Sequence, residues 1–252
     1  MKDYVAFFDT SGSETDRDSM LVTVGAISTV QKWERFDRRW LALMKKYGVR
    51  SFRLSDYENS SGDFVGWKDD EETRERFIAE LIDAMNKGIN KVLIRSLVLP
   101  DYEEINTRYK LTETVGGPYS LTQATALLDS LRWLREKKEP THDTFHPIVE
   151  LGDSGQKAFK RFLRKHAPVE VTYRGKIDPL TGEPFTPLNA CDLIAGHHRR
   201  VYVEALKVRR LKPMTLWPKT LIEIRKKIPV HATMIETRFL KHFCETMKID
   251  LR

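Results

Sequence analysis

The chain has 252 residues, a net charge of +7 at pH 7 and two cysteines. Its hydrophobic and charged fractions, 40% and 31%, are those of a globular protein with one sizeable core. Cys191 and Cys244 have neither metal-binding nor redox spacing, and no apolar run reaches the roughly 18 residues of a membrane span. We expect a cytoplasmic protein without a signal peptide, whose basic charge would suit a polyanionic partner.

The first half of the chain is predicted to open with a β-hairpin. Two apolar runs, at 4–8 and 20–27, flank a polar loop and indicate antiparallel strands. The apolar spacing then predicts a helix, an irregular segment, a second helix and a strand, at 31–47, 51–67, 69–87 and 90–99.

The second half is predicted to alternate helices and strands. Helical spacing is found at 120–136, 156–166, 188–206 and 232–247, and strand patterns at 146–151 and 169–173. We therefore expect an α/β fold with a mixed sheet covered by helices, in a single domain over residues 1–252. The portion from about residue 207 is expected to be basic and helical.

Acidic residues occur at three places where carboxylates could meet. Asp9 ends the first predicted strand, Glu150 and Asp153 bracket the end of a later strand, and Asp192 lies among small apolar residues of a late helix. Carboxylates that converge at one sheet edge repel each other, and Mg²⁺ or Mn²⁺ would relieve this repulsion because hard cations prefer oxygen ligands. Two such ions can activate a water and stabilise a leaving oxygen.

Each of these acids also has an ordinary structural explanation. Asp9 could form an Asx turn, Glu150 could face solvent, Asp153 could be a turn residue and Asp192 could cap its helix. The combination of an acid on a first strand, an acid at a later strand end and an acid on a late helix is more specific than any one of them.

Several blocks of the sequence resemble a known family. These are "FFDTSGS", "VTVGAI", "FRLSDYENSSGDFVGW", "PIVELGDSGQ" and "PLNACDLIAGHHRR". Together they are similar to the domain-of-unknown-function 3800 family (DUF3800), which itself resembles the ribonuclease H-like superfamily. The resemblance implies a ribonuclease H-like mixed central sheet with helices on both faces, and Asp9, Glu150 and Asp192 as ligands of two divalent ions, with Asp153 as a further candidate.

The chain departs from the pattern of that family in a few positions. Thr10 stands where the family usually has Glu, and Asn189 and Cys191 replace the usual Gln and Ala. Arg53 stands where relatives often have His, so a role of that histidine is not carried over to this chain.

Basic residues near these blocks and late in the chain are candidates for contacts with a phosphate backbone. They are Arg53, Arg199, Arg200, Arg209 and Arg210. A solvated charged face is the alternative interpretation of such a charge run. The late helix also carries His197 and His198, five and six residues after Asp192, which is not an ideal spacing for joint ligation.

The sequence thus predicts a Mg²⁺- or Mn²⁺-dependent nuclease with nucleic acid as its partner. The alternatives are a catalytically inactive protein of the same fold that binds nucleic acid or a protein, and a phosphohydrolase of small nucleotides. The motifs leave open whether the substrate is DNA or RNA, its strandedness and the oligomeric state.

Overall fold

A single six-stranded sheet forms the centre of the molecule. The computed structural model describes residues 2–16, 19–139, 144–151, 156–167, 169–180, 182–207 and 219–251. The strands are β1 (Tyr4–Ser11), β2 (Met20–Thr29), β3 (Lys91–Val98), β4 (Phe145–Glu150), β5 (Thr172–Arg174) and β6 (Val230–Ile235). Their order across the sheet is β5-β4-β1-β2-β3-β6.

The helices connect these strands and cover the sheet. They are α1 (Val30–Tyr47), α2 (Leu54–Asn59), α3 (Glu71–Gly88), α4 (Leu99–Asn106), α5 (Leu111–Val115), α6 (Pro118–Glu136), α7 (Gln156–His166), α8 (Thr186–Lys207), α9 (Lys219–Lys227) and α10 (Thr237–Thr246). None of the described helices is both long and apolar enough to cross a membrane.

The pairing of the strands is mixed. The β1–β2 and β2–β3 pairs are antiparallel, whereas the β1–β4, β4–β5 and β3–β6 pairs are parallel. The antiparallel pairing of β1 with β2 follows from the short connection between them. The parallel pairs require long crossovers, which the helices provide. The structure therefore confirms the predicted mixed sheet with antiparallel first strands.

Helices pack on both faces of the sheet, as predicted. One face, called the α8 face below, is covered by α1, α3, α8 and α9, and its core includes Phe7 and Val24. The opposite face, called the α6 face, is covered by α4, α6, α7 and α10, and its core includes Phe8 and Leu21. Neighbouring residues of one strand thus enter different cores, because successive side chains of a strand point to opposite faces.

Most predicted helices are confirmed, and α1 illustrates why. Its buried residues, Trp33, Phe36, Trp40 and Met44, recur every three or four positions and form one apolar face against the sheet. Gly48 ends the helix with a φ of 69°, a left-handed conformation that glycine adopts without steric cost.

Several predictions are wrong in part, and the strand predicted at 169–173 is the shorter β5 at Thr172–Arg174. The segment predicted as irregular contains α2, and the first residues of the predicted terminal helix form β6, so that the C-terminal portion is not purely helical. β6 pairs with β3 from a distant part of the chain, and such a non-local partner leaves no helix-or-strand signal in a local apolar pattern. The structure also extends β1 to Ser11, so Asp9 lies within the strand rather than at its tip.

Candidate active site

Asp9 and Glu150 become neighbours through the parallel pairing of β1 with β4. The register aligns Phe8 with Val149, so the next residue along each strand is an acid. Parallel strands run in the same direction, and both carboxylates therefore emerge at the same end of the sheet. Both follow residues of the α8 face, Phe7 and Ile148, by two positions and lie on that face.

Helix α8 brings the third acid to the same place. Small residues allow α8 to lie close to β1, and the thiol of Cys191 donates a weak hydrogen bond to the Phe7 carbonyl at 3.4 Å. Asp192 is the seventh residue of α8, so it lies inside the helix and does not cap it. Its Oδ2 accepts a hydrogen bond from the Leu54 backbone N–H at 3.0 Å, which fixes the carboxylate against the start of α2.

The three carboxylates converge on one ammonium group, that of Lys176. Its Nζ lies 3.2 Å from Asp9 Oδ2, 3.5 Å from Glu150 Oε1 and 3.0 Å from Asp192 Oδ1. The side chain of Asp9 is 2% exposed, and those of the other three residues are about one-fifth exposed. We call Asp9, Glu150 and Asp192 the carboxylate cluster.

The electrostatics of the cluster leave an excess of negative charge. Burial raises the pKa of Asp9 well above its ordinary value, and the adjacent Glu150 and the negative charges of Glu150 and Asp192 raise it further, while Lys176 lowers it. Burial alone would lower the pKa of Lys176, but the three carboxylates outweigh this effect and raise the pKa, so the ammonium stays charged. One ammonium thus faces three carboxyl groups.

One oxygen of the cluster lacks a donor. Asp9 Oδ1 is buried and accepts no hydrogen bond from the residues that the structure describes. A buried carboxylate oxygen without a donor is costly, and either a proton or a cation would satisfy it. Together with a donor set made only of carboxylate oxygens, this atom makes the cluster a fitting site for Mg²⁺ or Mn²⁺.

With the side chains in their observed positions, no three His, Cys, Asp or Glu residues in the described part of the chain are arranged to hold a metal ion. In the carboxylate cluster, the point where the three acids converge is taken by the ammonium of Lys176. Asp153, the further candidate ligand, lies outside the described residues.

The departure at Thr10 does not affect the cluster. The Thr10 hydroxyl lies 2.9 Å from that of Thr23, which donates to Thr122 of α6 at 2.8 Å. Thr10 therefore points to the α6 face, whereas Asp9 points to the α8 face. The other departures, Asn189 and Cys191, are buried inside α8.

A groove of about 370 Å³ runs beside Asp192 and is lined by two of the predicted arginines, Arg199 and Arg200. Arg200 pairs with Glu58 of α2, and its side chain is half exposed. Arg199 binds the start of β2 and the residue before it, donating to the Met20 carbonyl at 3.2 Å and to the Ser19 hydroxyl at 3.0 Å. Both arginines thus lie near the cluster, but each already has protein partners.

Of the remaining predicted arginines, one lies in the described part of the chain and two do not. Arg53 is exposed and immediately precedes Leu54, whose N–H holds Asp192. Arg209 and Arg210 lie outside the described residues. Of the predicted phosphate contacts, the structure therefore places Arg53, Arg199 and Arg200 on the side of the molecule near Asp192.

The two histidines of α8 do not join the cluster. His197 Nδ1 lies 3.8 Å from Glu58 Oε1, and the ring of His198 packs on Tyr202 with 4.7 Å between ring centroids. Burial, with a further contribution from nearby arginines, lowers the pKa of each to about 4, so both are neutral near pH 7.

The sequence reasoning missed Lys176. It follows the three-residue strand β5, and its contacts come from β1, β4 and α8, which are far apart in the sequence. A lone lysine before a turn carries no periodic or motif signal, so only the assembled fold reveals it. Glu58 was also missed, because it lies in the segment predicted as irregular.

Comparisons with known proteins yield only distant structural similarity. No family model and no curated protein matches the chain. The chain is similar to the ribonuclease H2 of Pyrococcus horikoshii OT3, with 18% identity, 82% of this chain and 76% of that chain covered, and a TM-score of 0.43. It is also similar to Bst-RNase HIII in complex with Mn²⁺, with 12% identity, coverage of 89% and 70%, and a TM-score of 0.41. The fold assignment above rests on the strand order and pairing of the sheet.

Proposed function

We propose that the protein hydrolyses phosphodiester bonds of nucleic acid with Mg²⁺ or Mn²⁺ held by the carboxylate cluster, as the sequence resemblance to the ribonuclease H-like superfamily implies. The observation that carries this proposal is the convergence of Asp9, Glu150 and Asp192 within 3.5 Å of a single atom. Acids of like charge are costly to gather in a half-buried site, and such a gathering is typical of a site built for cations.

Each member of the cluster would have a distinct part in holding the ions. Asp9 offers a buried oxygen without a donor, Glu150 lies beside it, and Asp192 is held in orientation by the Leu54 N–H. When bound, divalent ions lower the pKa of water and stabilise the charge that develops on the attacking and leaving oxygens. Two ions are the predicted number.

The surroundings of the cluster suit a phosphate backbone. The groove beside Asp192 carries two arginine side chains, and an exposed arginine precedes Leu54. Arginine binds phosphate oxygens through pairs of N–H groups, so these side chains could position a strand next to the cluster. This arrangement favours an extended nucleic acid over a small nucleotide as the substrate.

A cleavage assay tests the proposal. The whole chain would be incubated with Mn²⁺ or Mg²⁺ and with labelled single-stranded DNA, double-stranded DNA, RNA and RNA–DNA hybrid, and in parallel with small phosphomonoesters. We expect cleavage of at least one polymer by the native protein and loss of detectable cleavage in Asp9→Asn, Glu150→Gln and Asp192→Asn. Glu80→Gln, which neutralises a partly exposed acid paired with Lys46, is the matched control.

Two results would contradict the proposal. The first is a native protein that shows neither saturable Mn²⁺ binding in calorimetry nor a rise in melting temperature with Mn²⁺. Alternatively, the three cluster variants could cleave as well as the native chain. Hydrolysis of phosphomonoesters alone would favour the phosphohydrolase alternative.

A further inference from the structure

Lys176 makes the same contacts that a bound cation would make. Its ammonium touches one oxygen of each member of the carboxylate cluster, at 3.0 to 3.5 Å. An ammonium is a compact point charge with three donors, and here three acceptors surround it. The lysine is thus the counter-ion of the cluster in the absence of metal.

The oxygens that Lys176 occupies are the ones that a metal ion would need. Asp192 Oδ2 is held by the Leu54 N–H, and Asp192 Oδ1 is held by Lys176. Asp9 Oδ2 faces the ammonium, so Oδ1 is the only oxygen of Asp9 that has no donor among the described residues. A divalent ion on the same oxygens would lie next to a like charge in a half-buried site, where Coulomb repulsion is weakly screened.

The segment that carries Lys176 can release it without disrupting the core. Lys176 lies at the base of a small hairpin, in which its carbonyl accepts from the Phe185 N–H at 2.7 Å and Asp178 N–H donates to Glu183 at 2.8 Å. The neighbouring residue Leu180 is 94% exposed. A lysine side chain has four rotatable carbon bonds, so rotation alone can move the ammonium into solvent.

We infer that Lys176 and divalent cations are alternative occupants of the carboxylate cluster, so that Lys176 sets the affinity of the site for Mn²⁺ and Mg²⁺. The lysine stabilises the metal-free protein by neutralising part of the cluster, and a metal ion binds by displacing it. This inference rests on the proposed function, since it requires that the cluster binds divalent ions.

Calorimetric titration of Mn²⁺ into the native protein and Lys176→Met tests the inference. We expect Lys176→Met to bind Mn²⁺ roughly tenfold more tightly or better, the scale of coupling between ligands that affect each other's binding. In EDTA, the same variant should melt at a lower temperature than the native protein, because its carboxylates repel without a counter-ion. Lys219→Met, which removes an exposed lysine paired with Glu75, should change neither quantity.

A second measurement uses the native chain and does not depend on the folding of a variant. The rate at which Lys176 is acylated by acetic anhydride would be followed by mass spectrometry with and without Mn²⁺. Displacement predicts that saturating Mn²⁺ accelerates acylation of Lys176 but not of Lys219.

The outcomes separate the inference from the proposed function. Equal or weaker Mn²⁺ binding by Lys176→Met, or unchanged acylation of Lys176 in a native protein that binds Mn²⁺, overturns the inference and leaves the proposed function standing. Absence of Mn²⁺ binding in both proteins overturns the proposed function. Binding in Lys176→Met alone contradicts the proposed function, because the native chain would then hold the lysine and no ion.

Discussion

Two groups of charged side chains lie on opposite faces of the sheet and differ in how well they are balanced. On the α6 face, Arg95 of β3 is buried and pairs with Asp129 of α6, and its NH1 also donates to the Ile94 carbonyl at 2.7 Å. On the α8 face, the carboxylate cluster has three acids for one lysine and a buried oxygen without a donor.

The difference shows how a structural ion pair can be told from a candidate site. Asp129 faces two arginines, Arg95 and Arg132, which donate to its two oxygens, so no carboxylate oxygen remains for a cation. The carboxylate cluster, in contrast, has an excess of negative charge, which a cation would neutralise. Unbalanced charge together with an unpartnered buried atom, rather than burial of charge alone, is therefore the property that points to function.

The largest effect that we expect from this comparison is a loss of stability in Asp129→Ala. The substitution leaves the Arg95 guanidinium buried without its carboxylate, which should lower the free energy of unfolding by about 3 kcal/mol. Denaturant unfolding in EDTA measures this loss. Arg132→Ala, which removes the exposed partner of the same aspartate, should cost less than about 1 kcal/mol. Equal losses of unfolding free energy in the two variants would show that the buried Arg95 does not depend on Asp129 for its stability.

A smaller effect should follow from Thr10→Val. This change removes a hydroxyl that lies 2.9 Å from the Thr23 hydroxyl and should lower the free energy of unfolding by about 1 kcal/mol. Because Thr10 faces α6, the affinity for Mn²⁺ should stay the same, whereas the neighbouring substitution Asp9→Asn should abolish Mn²⁺ binding. Loss of Mn²⁺ binding in Thr10→Val would contradict the assignment of the two side chains to opposite faces.

A further expected effect is a dependence of stability on pH in EDTA. The folded protein raises the pKa of Asp9, so the folded state holds a proton that the unfolded state releases. The stability from this group is complete below the ordinary aspartate pKa of 3.8 and is lost as the pH rises through the raised value. Asp9→Asn should therefore become progressively more stable than the native protein as the pH rises from 3.8.

Melting temperatures in EDTA across this pH range measure the trend, and Asp83→Asn is the matched control because Asp83 is a half-exposed aspartate of α3, paired with Lys87 and outside the cluster. A native protein that gains stability over Asp9→Asn with rising pH would contradict the raised pKa.

Much of the fold and of the carboxylate cluster could be predicted from the sequence. The hairpin of β1 and β2, the helix α7 and the mixed sheet follow from local apolar patterns, and the structure confirms them. The convergence of Asp9, Glu150 and Asp192 was predicted from strand ends and one helix, and the structure brings all three together. Their role as metal ligands stays a prediction.

The parts that could not be predicted depend on contacts between distant segments. β6 is defined by pairing with β3, and Lys176 is defined by three acids from separate elements. Neither leaves a trace in local periodicity, because the apolar pattern of a segment reports only its own exposed and buried faces.

The parallel pairing of β1 with β4 has a consequence for how the protein folds. It joins Tyr4 to Phe145, so more than half of the chain must be closed into a loop before Asp9 and Glu150 can meet. Loop closure of this kind costs entropy and makes non-local strand pairs slow to form. The repulsion between the carboxylates is absent while the chain is open and is felt only when this pair closes. The site therefore opposes the closure of this strand pair, and a cation present during folding would favour it.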